Sequence, residues 1–419
     1  MRRISRIARI CCARSSAIRD SRKTGKGWRL AALLCLCALV VTFAKPIVTE
    51  GSPVREWSFP VVVLPPESGW EGDEGKSAWL ALKVVMEEAN ATRDGVAGRD
   101  VLFLKSQLPT PKDAPAAVDE WRKNGVKVVI SLADSEMDKL LVSATAADDM
   151  PLLLANGEWV SLSEENDRSF KNVFALDLYY PFRAVALAKY AAFRYKGATV
   201  AIEVDLNDGQ MYPAYDLLQR KLKECGLTTM TIWHDPARRV PLAEDEASSA
   251  GATILISCLG PRNLQTTWRR VKEKHLPLEV WYSGPFLPSV PLSLEGLLVA
   301  DQAHPAARGE SFDELAARAW EVERKKVTDR YYAVKARAAG LCAVEALKIS
   351  GGKSVADAMS GVSGIPLGDE LLDIDKTTHR PASRKVALLR VSEKGLALEH
   401  IVEVRSSEVP DSIGPYTGR

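Results

Sequence analysis

The sequence has few of the residues that build metal centres and disulfide frameworks. It contains five histidines in 419 residues and neither an H-E-x-x-H motif nor a clustered Cys/His spacing. Outside the first 44 residues only three of its seven cysteines remain, Cys225, Cys258 and Cys342, and they are widely spaced. Structural zinc sites need closely spaced ligands, and disulfide scaffolds need many cysteines in a short chain. We therefore expect neither metal nor disulfide framework, and a Cys225–Cys258 bridge stays open.

Motifs for nucleotide and nucleophile chemistry are also missing. The sequence has no G-x-S-x-G elbow, no Walker A loop and no G-x-G-x-x-G after a predicted strand. Acidic pairs such as Glu87–Glu88 are adjacent in sequence, so their side chains point in different directions. These absences favour a protein that performs no chemistry and needs no cofactor. An exported α/β enzyme is kept as an alternative, because a catalytic set can assemble in space from distant residues.

Positive charge is concentrated at the N-terminus. Residues 1–44 hold ten of the 56 Lys and Arg residues and one of the 54 Asp and Glu residues. The remainder of the chain therefore carries a net charge of −7. A mildly acidic body argues against a nucleic-acid partner, because phosphate binding requires a basic face.

An apolar run from Leu30 to Ala44 follows the basic stretch. It is shorter than the ~20 residues that span a bilayer and matches the apolar region of a signal peptide. Thr42 and Ala44 are small residues suited to cleavage before Lys45. We predict that residues 1–44 are a signal peptide that directs export to a periplasmic or extracellular location. The alternative is an uncleaved signal anchor.

From Ser58 onward, short apolar runs alternate with amphipathic helical stretches. The runs lack period-2 alternation, as expected for strands buried on both faces of a parallel sheet. Alternating strands and helices form right-handed βαβ units and doubly wound sheets. The predicted strands lie at 59–64, 101–104, 126–131, 151–155, 172–176, 198–204, 229–233, 252–257, 278–283 and 296–301, and weaker ones at 385–391 and 397–404. The series breaks near residue 175, which predicts two α/β lobes.

The segment VVVLPPESGWEGDEGKSAWLALKVVMEEANATRDGVAGRD resembles the start of the type I periplasmic binding proteins that serve branched-chain amino acid ABC importers. The corresponding pieces are Trp70 in the first loop, the helix Ala78–Asn90 and the turn Gly95–Arg99. Further matches are Met150–Pro151 before the fourth strand and the Tyr/Ala helix Tyr331–Leu347. The likeness covers about residues 57–405.

The resemblance implies two doubly wound parallel-sheet lobes joined by three crossovers. Lobe 1 would comprise 57–175 and 299–360, lobe 2 would comprise 176–298 and 361–405, and 406–419 would form a tail. It further implies that the protein captures a small amino-acid-like, carboxylate or amide ligand by hinge closure and delivers it to a membrane ABC permease. A membrane-anchored ligand-sensing receptor module with the same fold is the alternative.

Loops beyond the carboxyl ends of the strands are the expected ligand site, because helix N-termini aim unpaired N–H groups there. Trp70 lies in a loop that is too polar and Gly-rich for the core. The resemblance makes it an aromatic wall over the ligand, and a surface tryptophan packed against its own loop is the alternative. Ser135 is a helix N-cap candidate, and the resemblance makes it the serine that holds the ligand carboxylate. Asn156 and Glu158 follow the fourth strand, where a simple Asn-Gly turn is an equal alternative.

In the second lobe, the resemblance implies that two further loops bind the ligand. Tyr179 and Tyr180 stand at the crossing into a helix, and Asp208 and Gln210 follow the strand that ends at Val204. For Asp208 a solvated helix cap is the alternative.

The turn that contains Phe286 departs from the resembling family. Amino-acid binders often carry a carboxylate at this place to meet the ligand ammonium, and a buried ammonium without a counter-charge is costly. Either Glu158, Asp208 or Asp301 replaces that carboxylate, or the ligand is not an ordinary α-amino acid. Phe286 is accordingly predicted to contact the ligand.

Overall fold

The strands of the two large sheets form where the sequence predicts them. The computed structural model describes residues 57–92, 95–133, 135–145, 150–156, 171–176, 180–205, 212–234, 242–283, 293–301, 311–367 and 370–409. Within these residues the strands make two large, mostly parallel sheets and one small hairpin.

The first sheet is wholly parallel and has the strand order β2-β1-β3-β4-β5. Its strands are β1 (Ser58–Leu64), β2 (Asp100–Lys105), β3 (Val128–Ser131), β4 (Leu152–Leu154) and β5 (Val173–Ala175). The helices between them are α1 (Asp73–Asn90), α2 (Ala114–Lys123) and α3 (Ser135–Thr145).

The second sheet has the order β14-β13-β10-β9-β8-β6-β7, and only β13 and β14 run antiparallel to their neighbours. Its strands are β6 (Thr199–Asp205), β7 (Thr228–His234), β8 (Ile254–Ser257), β9 (Glu279–Tyr282), β10 (Leu298–Asp301), β13 (Ser383–Ser392) and β14 (Gly395–Arg405). Its helices are α4 (Tyr180–Arg194), α5 (Tyr212–Glu224), α6 (Ala243–Ser249) and α7 (Pro261–Glu273), and a 3-10 turn, Ser406–Glu408, follows β14. The two weak C-terminal strands are thus confirmed.

Between β10 and β13 the chain returns to the first lobe. It forms α8 (Ser311–Glu323), α9 (Arg330–Ser350), α10 (Val355–Met359) and an antiparallel hairpin of β11 (Ile365–Leu367) and β12 (Glu370–Leu372). The sequence did not predict this hairpin, because three-residue strands are too short to establish a periodic pattern.

Each face of both large sheets is covered by helices. In β1, Val61 and Val63 pack toward α1, α8 and α9, whereas Val62 and Leu64 pack toward α2 and α3. All four side chains are almost completely buried. Burial on both faces explains why the strands read as continuous apolar runs. The second sheet likewise separates two apolar clusters, with α4 and α5 on one face and α6 and α7 on the other.

Two of the three crossovers occur at residues that differ from the predicted lobe bounds. β10 pairs with β9 and β13, so residues 299–301 belong to the second sheet and not to lobe 1. Ile365, Leu372 and Ile374 lie in the core beside β1, so the chain stays with the first lobe beyond residue 361. The bounds at 299 and 361 were wrong by these margins because no change of composition marks the crossings.

The first and third crossovers contact each other directly. The carbonyl of His379 accepts a hydrogen bond from the Ala175 amide at 3.1 Å, and the His379 ring stacks on Phe174 with centroids 4.5 Å apart. Arg384, which is 3% exposed, donates from its guanidinium to the Leu176 carbonyl at 2.9 Å. The end of β5 is therefore bound to the segment that leads into β13.

The cysteines of the body are all free thiols. Cys225 is half-buried and Cys258 is buried, and no bridge joins them. Cys342 lies in the Ala-rich helix α9 with no exposed surface, and burial raises the pKa of its thiol to about 12. Cys342 is therefore a small buried apolar residue of this helix.

The predicted signal peptide, residues 1–44, lies outside the described residues. In the segments that are described, no helix combines the length and apolar character needed to cross a membrane.

Helix α9 packs closely on α1 because small residues face the contact. A Cβ atom at Gly340 would lie 3.0 Å from Leu82 Cδ2 and 3.4 Å from Val85 Cγ1. The neighbouring buried residues of α9 on this side include Ala336, Ala339 and Ala343. The first-lobe core therefore has no room for a larger side chain here.

We expect Gly340→Leu to lower the free energy of unfolding by about 1–3 kcal/mol, because overpacking displaces the two helices. Urea denaturation monitored by circular dichroism measures this change. The matched control is Lys348→Leu in the same helix, where the side chain is 65% exposed, and it should change stability by less than about 0.5 kcal/mol. Equal stabilities for the two variants would contradict the close helix contact.

Candidate functional site

The first sheet has its topological switch point between β1 and β3. Helix α1, which follows β1, packs on one face, and α3, which follows β3, packs on the other. The two loops therefore leave their strands toward opposite faces of the sheet, and such a switch point is where open α/β sheets bind ligands. Trp70 lies in the loop after β1, and Ser135 is the first residue of α3. The predicted pair Trp70 and Ser135 thus flanks this switch point.

Trp70 is part of the core, contrary to the prediction from its polar loop. Trp70 is 6% exposed, and its Nε1–H donates to the Ser106 carbonyl at 2.7 Å. The loop folds back onto α1 so tightly that a Cβ at Gly75 would lie 2.1 Å from the Gly69 carbonyl oxygen. This close approach buries the ring while the polar residues around it stay outside. Trp70 therefore anchors the loop after β1 to the end of β2.

A second tryptophan and a lysine complete this anchor. Trp79 of α1 meets Trp70 edge to face, with ring centroids 5.6 Å apart. The Lys105 ammonium lies 5.1 Å from the Trp70 ring centroid and 5.0 Å from that of Trp79. Edge-to-face rings and cation–π contacts are each worth about 0.5–1.5 kcal/mol. The loop after β1 is therefore firmly held.

Asn156 lies at the carboxyl end of the first sheet, two residues beyond β4. Its Nδ2 donates to the Ala133 carbonyl and to the Tyr332 hydroxyl, each at 3.2 Å. Its Oδ1 accepts from the Lys335 ammonium at 2.6 Å. Asn156 therefore links the loop after β3 to the first turns of α9, which a simple Asn-Gly turn would not do.

Lys335 belongs to the same cluster as Asn156, and the sequence reasoning did not single it out. It is only 7% exposed, and its ammonium lies 3.5 Å from the centroid of the Tyr331 ring. Tyr331 and Lys335 are four residues apart on α9, the spacing at which helical side chains meet. The four-residue spacing of Tyr331 and Lys335, with a charged residue among the alanines of an apolar helix, is the sequence pattern from which this pair could have been predicted.

The first turn of α9 is rigidly positioned. Asp329 caps the helix by accepting from the Tyr332 amide at 2.8 Å. The fully buried Ser77 hydroxyl of α1 accepts from the Thr328 and Asp329 amides at 3.1 and 2.8 Å. With its acceptor positions used, this hydroxyl donates to Thr328 Oγ1, 3.2 Å away. These bonds fix the backbone from which the side chains of Tyr331, Tyr332 and Lys335 extend.

The remaining predicted residues are described only in part or not at all. Tyr180 is the first residue of α4, and Asp301 is the last residue of β10. The other predicted residues lie outside the described residues, namely Glu158, Tyr179, Asp208, Gln210 and Phe286. Their part in ligand binding stays a prediction.

The second sheet carries a buried acid close to its own switch point, between β6 and β8. Glu203 is 1% exposed, and both of its carboxylate oxygens accept from the Thr267 hydroxyl of α7 at 3.1 Å. His234 Nδ1, at the end of β7, lies 3.5 Å from Glu203 Oε1. The hydrogen bond to Glu203 raises the pKa of His234, and burial opposes that rise. The sequence did not single out this group, since its members lie on three separate elements.

We expect Trp70→Phe to lower the free energy of unfolding by about 1–3 kcal/mol, because the buried Ser106 carbonyl loses its donor. Urea denaturation measures the change. Trp57→Phe is the control, since Trp57 is 72% exposed, and its substitution should cost less than about 0.5 kcal/mol. A Trp70→Phe protein as stable as the control would show that the bond to Ser106 is unimportant.

The raised pKa of His234 gives a pH dependence with a defined sign. The pair with Glu203 stabilises the fold fully below the unfolded pKa of about 6.5, and this contribution is lost as pH rises through the higher folded pKa. His234→Asn should therefore lower the melting temperature more at about pH 5.5 than at about pH 8. The exposed His275 provides the control His275→Asn. A destabilisation by His234→Asn that is the same at both pH values would contradict the pairing.

Comparison with known proteins supports the fold of two doubly wound lobes. No curated protein matches the chain. Solved structures that are similar in fold include the following three. A leucine-binding protein from Thermotoga maritima has 15% identity and a TM-score of 0.61, and 84% of this chain and 100% of that chain are covered. An ABC-type branched-chain amino acid transporter from Rhodopseudomonas palustris has 16% identity and a TM-score of 0.67, with coverages of 85% and 99%. An ABC transporter solute-binding protein from R. palustris in complex with benzoate has 14% identity and a TM-score of 0.59, with coverages of 84% and 99%.

At these identities the solved structures establish the fold alone, and the predicted architecture of two doubly wound lobes is confirmed. A family model goes further, since the model described as periplasmic binding protein matches residues 58–396. That match runs from β1 to the start of β14 and includes the three crossovers, so the chain belongs to the periplasmic binding protein family.

Proposed function

We propose that this protein is the solute-binding component of an ABC importer, which captures a small molecule between its lobes and releases it unaltered to a membrane permease. The observation that carries the proposal is the family match across both lobes, together with a rigid set of loops at the carboxyl ends of the first sheet. Hinge closure around a ligand is the motion that suits two lobes joined by crossovers.

The proposed location is periplasmic, with residues 1–44 as the exported signal. Family membership supports this location, and the basic stretch followed by a short apolar run supports the signal. The proposed partners are a small-molecule ligand and the permease. The ligand classes to test come from the solved relatives, which include a leucine-binding protein and a benzoate complex.

A thermal-shift screen tests ligand capture. The panel would contain amino acids, short amides and aliphatic and aromatic carboxylates. A ligand that binds only the folded protein at about 100 times its Kd adds about 2.7 kcal/mol of stability, so the melting temperature must rise. Small-angle scattering on the ligand complex should then show a smaller radius of gyration. The proposal fails if no member of the panel shifts the melting temperature, or if a retained compound is converted to a product.

Ser135 offers a test of the site within that function. If its hydroxyl and the start of α3 hold the ligand, Ser135→Ala should weaken the affinity for a ligand from the screen by about tenfold, because one charge-assisted hydrogen bond is lost. Isothermal titration calorimetry measures the change. Ser143→Ala is the matched control, since Ser143 is exposed in a later turn of the same helix. Equal affinities for both variants would place the ligand elsewhere.

A further inference from the structure

Helix α3 carries an acid on its buried face. Its apolar residues Leu141 and Val142 belong to the core cluster that β1 and α2 complete, and Asp138 lies one turn before them with no exposed surface. Residues three and four apart share one face of a helix, so Asp138 occupies a position where an apolar side chain would pack. Burying a carboxyl group is costly unless it is hydrogen-bonded. The acid at this position therefore serves something other than packing.

The carboxylate of Asp138 closes the segment that leads from β3 into α3. Its Oδ1 accepts from the hydroxyl of Ser131, the last residue of β3, at 2.5 Å. Ser131 has no exposed surface either. The bond joins residues seven positions apart, and the loop and the start of α3 lie between them. Asp138 therefore ties the first turn of the helix to the end of the strand.

The same serine hydroxyl also holds the loop after β3. It accepts from the Ala133 amide at 3.3 Å, so it serves as donor to the acid and as acceptor for the loop. The Ala133 carbonyl accepts from Asn156 Nδ2 at 3.2 Å, and the Leu132 amide donates to the Leu64 carbonyl at 3.2 Å. The loop is thus bound at both of these residues, and Ser131 links its bonds to α3.

The second lobe builds a similar turn without such an acid. Ser257 ends β8, has no exposed surface, and accepts from the Leu259 amide at 3.4 Å. The helix that follows, α7, directs Thr267 to the carboxylate of Glu203 on the neighbouring strand. Within the described part of α7, no side chain bonds to the Ser257 hydroxyl. The turn therefore forms without a carboxylate, and what Asp138 adds in the first lobe is a fixed start of α3.

Resting on the proposed solute-binding function, we propose that Asp138 is a positioning residue for solute capture, which holds the start of α3 in its binding conformation before a solute arrives. The start of α3 lies at the switch point of the first sheet, the place where open α/β sheets bind ligands. A loop that occupies its binding conformation for part of the time binds with a Kd raised by the inverse of that fraction. The bond from Ser131 to Asp138 keeps that fraction close to one.

Hydrogen exchange on the unliganded protein tests the positioning directly. Asp138→Ala should raise exchange in peptides that cover residues 131–138 by about tenfold or more, because the hydroxyl that holds the Ala133 amide loses its acceptor. Exchange in residues 139–145 of α3 should stay at the wild-type rate. Asp138→Asn keeps the side-chain volume and an acceptor for Ser131, so its exchange should stay within about twofold of wild type. An equal rise along the whole of α3, or none in 131–138, would overturn the inference.

Isothermal titration calorimetry, at a temperature where every variant is folded, measures the effect on capture. The probes are L-leucine and benzoate, and otherwise the panel member that shifts the melting temperature most. Asp138→Ala, Ser131→Ala and the double variant should each weaken affinity by about tenfold, because all three break the same bond. Asp138→Asn should stay within about threefold of wild type. Thr145→Val is the control, since it removes a buried hydroxyl from the far end of α3, and its affinity should change by less than about twofold.

The outcomes distinguish this inference from the function on which it rests. If Asp138→Ala lowers the melting temperature and leaves the affinity unchanged, the acid has a purely structural role and the inference is wrong. Losses of affinity that add up in the double variant would show that Ser131 and Asp138 act separately, which also contradicts it. A wild-type protein that binds no member of the thermal-shift panel would overturn the proposed function, and with it the role in capture, even where exchange shows that Asp138 fixes the loop.

Discussion

The buried hydroxyl of Ser77 is the contact on which the candidate site depends. It accepts two backbone amides at the point where the chain enters α9, and so joins that helix to α1 across 251 and 252 residues of sequence. α1 follows the loop anchored by Trp70, and α9 bears Lys335. The Ser77 hydroxyl therefore fixes α1, and with it the loop after β1, against the start of α9. A polar group so deeply buried is retained because each of its bonding positions is satisfied.

The fold was largely predictable because the strands are buried on both faces. Continuous apolar runs such as residues 61–64 mark such strands without any information on tertiary contacts. What the sequence concealed were features that depend on packing. The hairpin of β11 and β12 is too short for a periodic signal, and the second and third crossovers have no linker composition. The polar neighbours of Trp70 predicted a position outside the core, as an aromatic wall over the ligand, whereas the fold of its loop buries the side chain.

The candidate site was predictable only as a set of loops. Trp70, Ser135 and Asn156 follow the first, third and fourth strands, and strand order alone makes such residues neighbours. The partners of Asn156 stand 176 and 179 residues further along the chain, so no local pattern could pair them. Glu203, Thr267 and His234 are likewise far apart in sequence, so no local pattern could group them. Long-range polar contacts of this kind require the register of sheets and helices to be known first.

The contact between the first and third crossovers restricts how the lobes can move. The Leu176 carbonyl is bound by the Arg384 guanidinium, and the end of β5 is paired with His379. Segments linked in this way must twist as one, since independent rotation would break a buried guanidinium bond. A movement of one lobe relative to the other therefore has to displace both of these chain segments together, which couples the two connections mechanically.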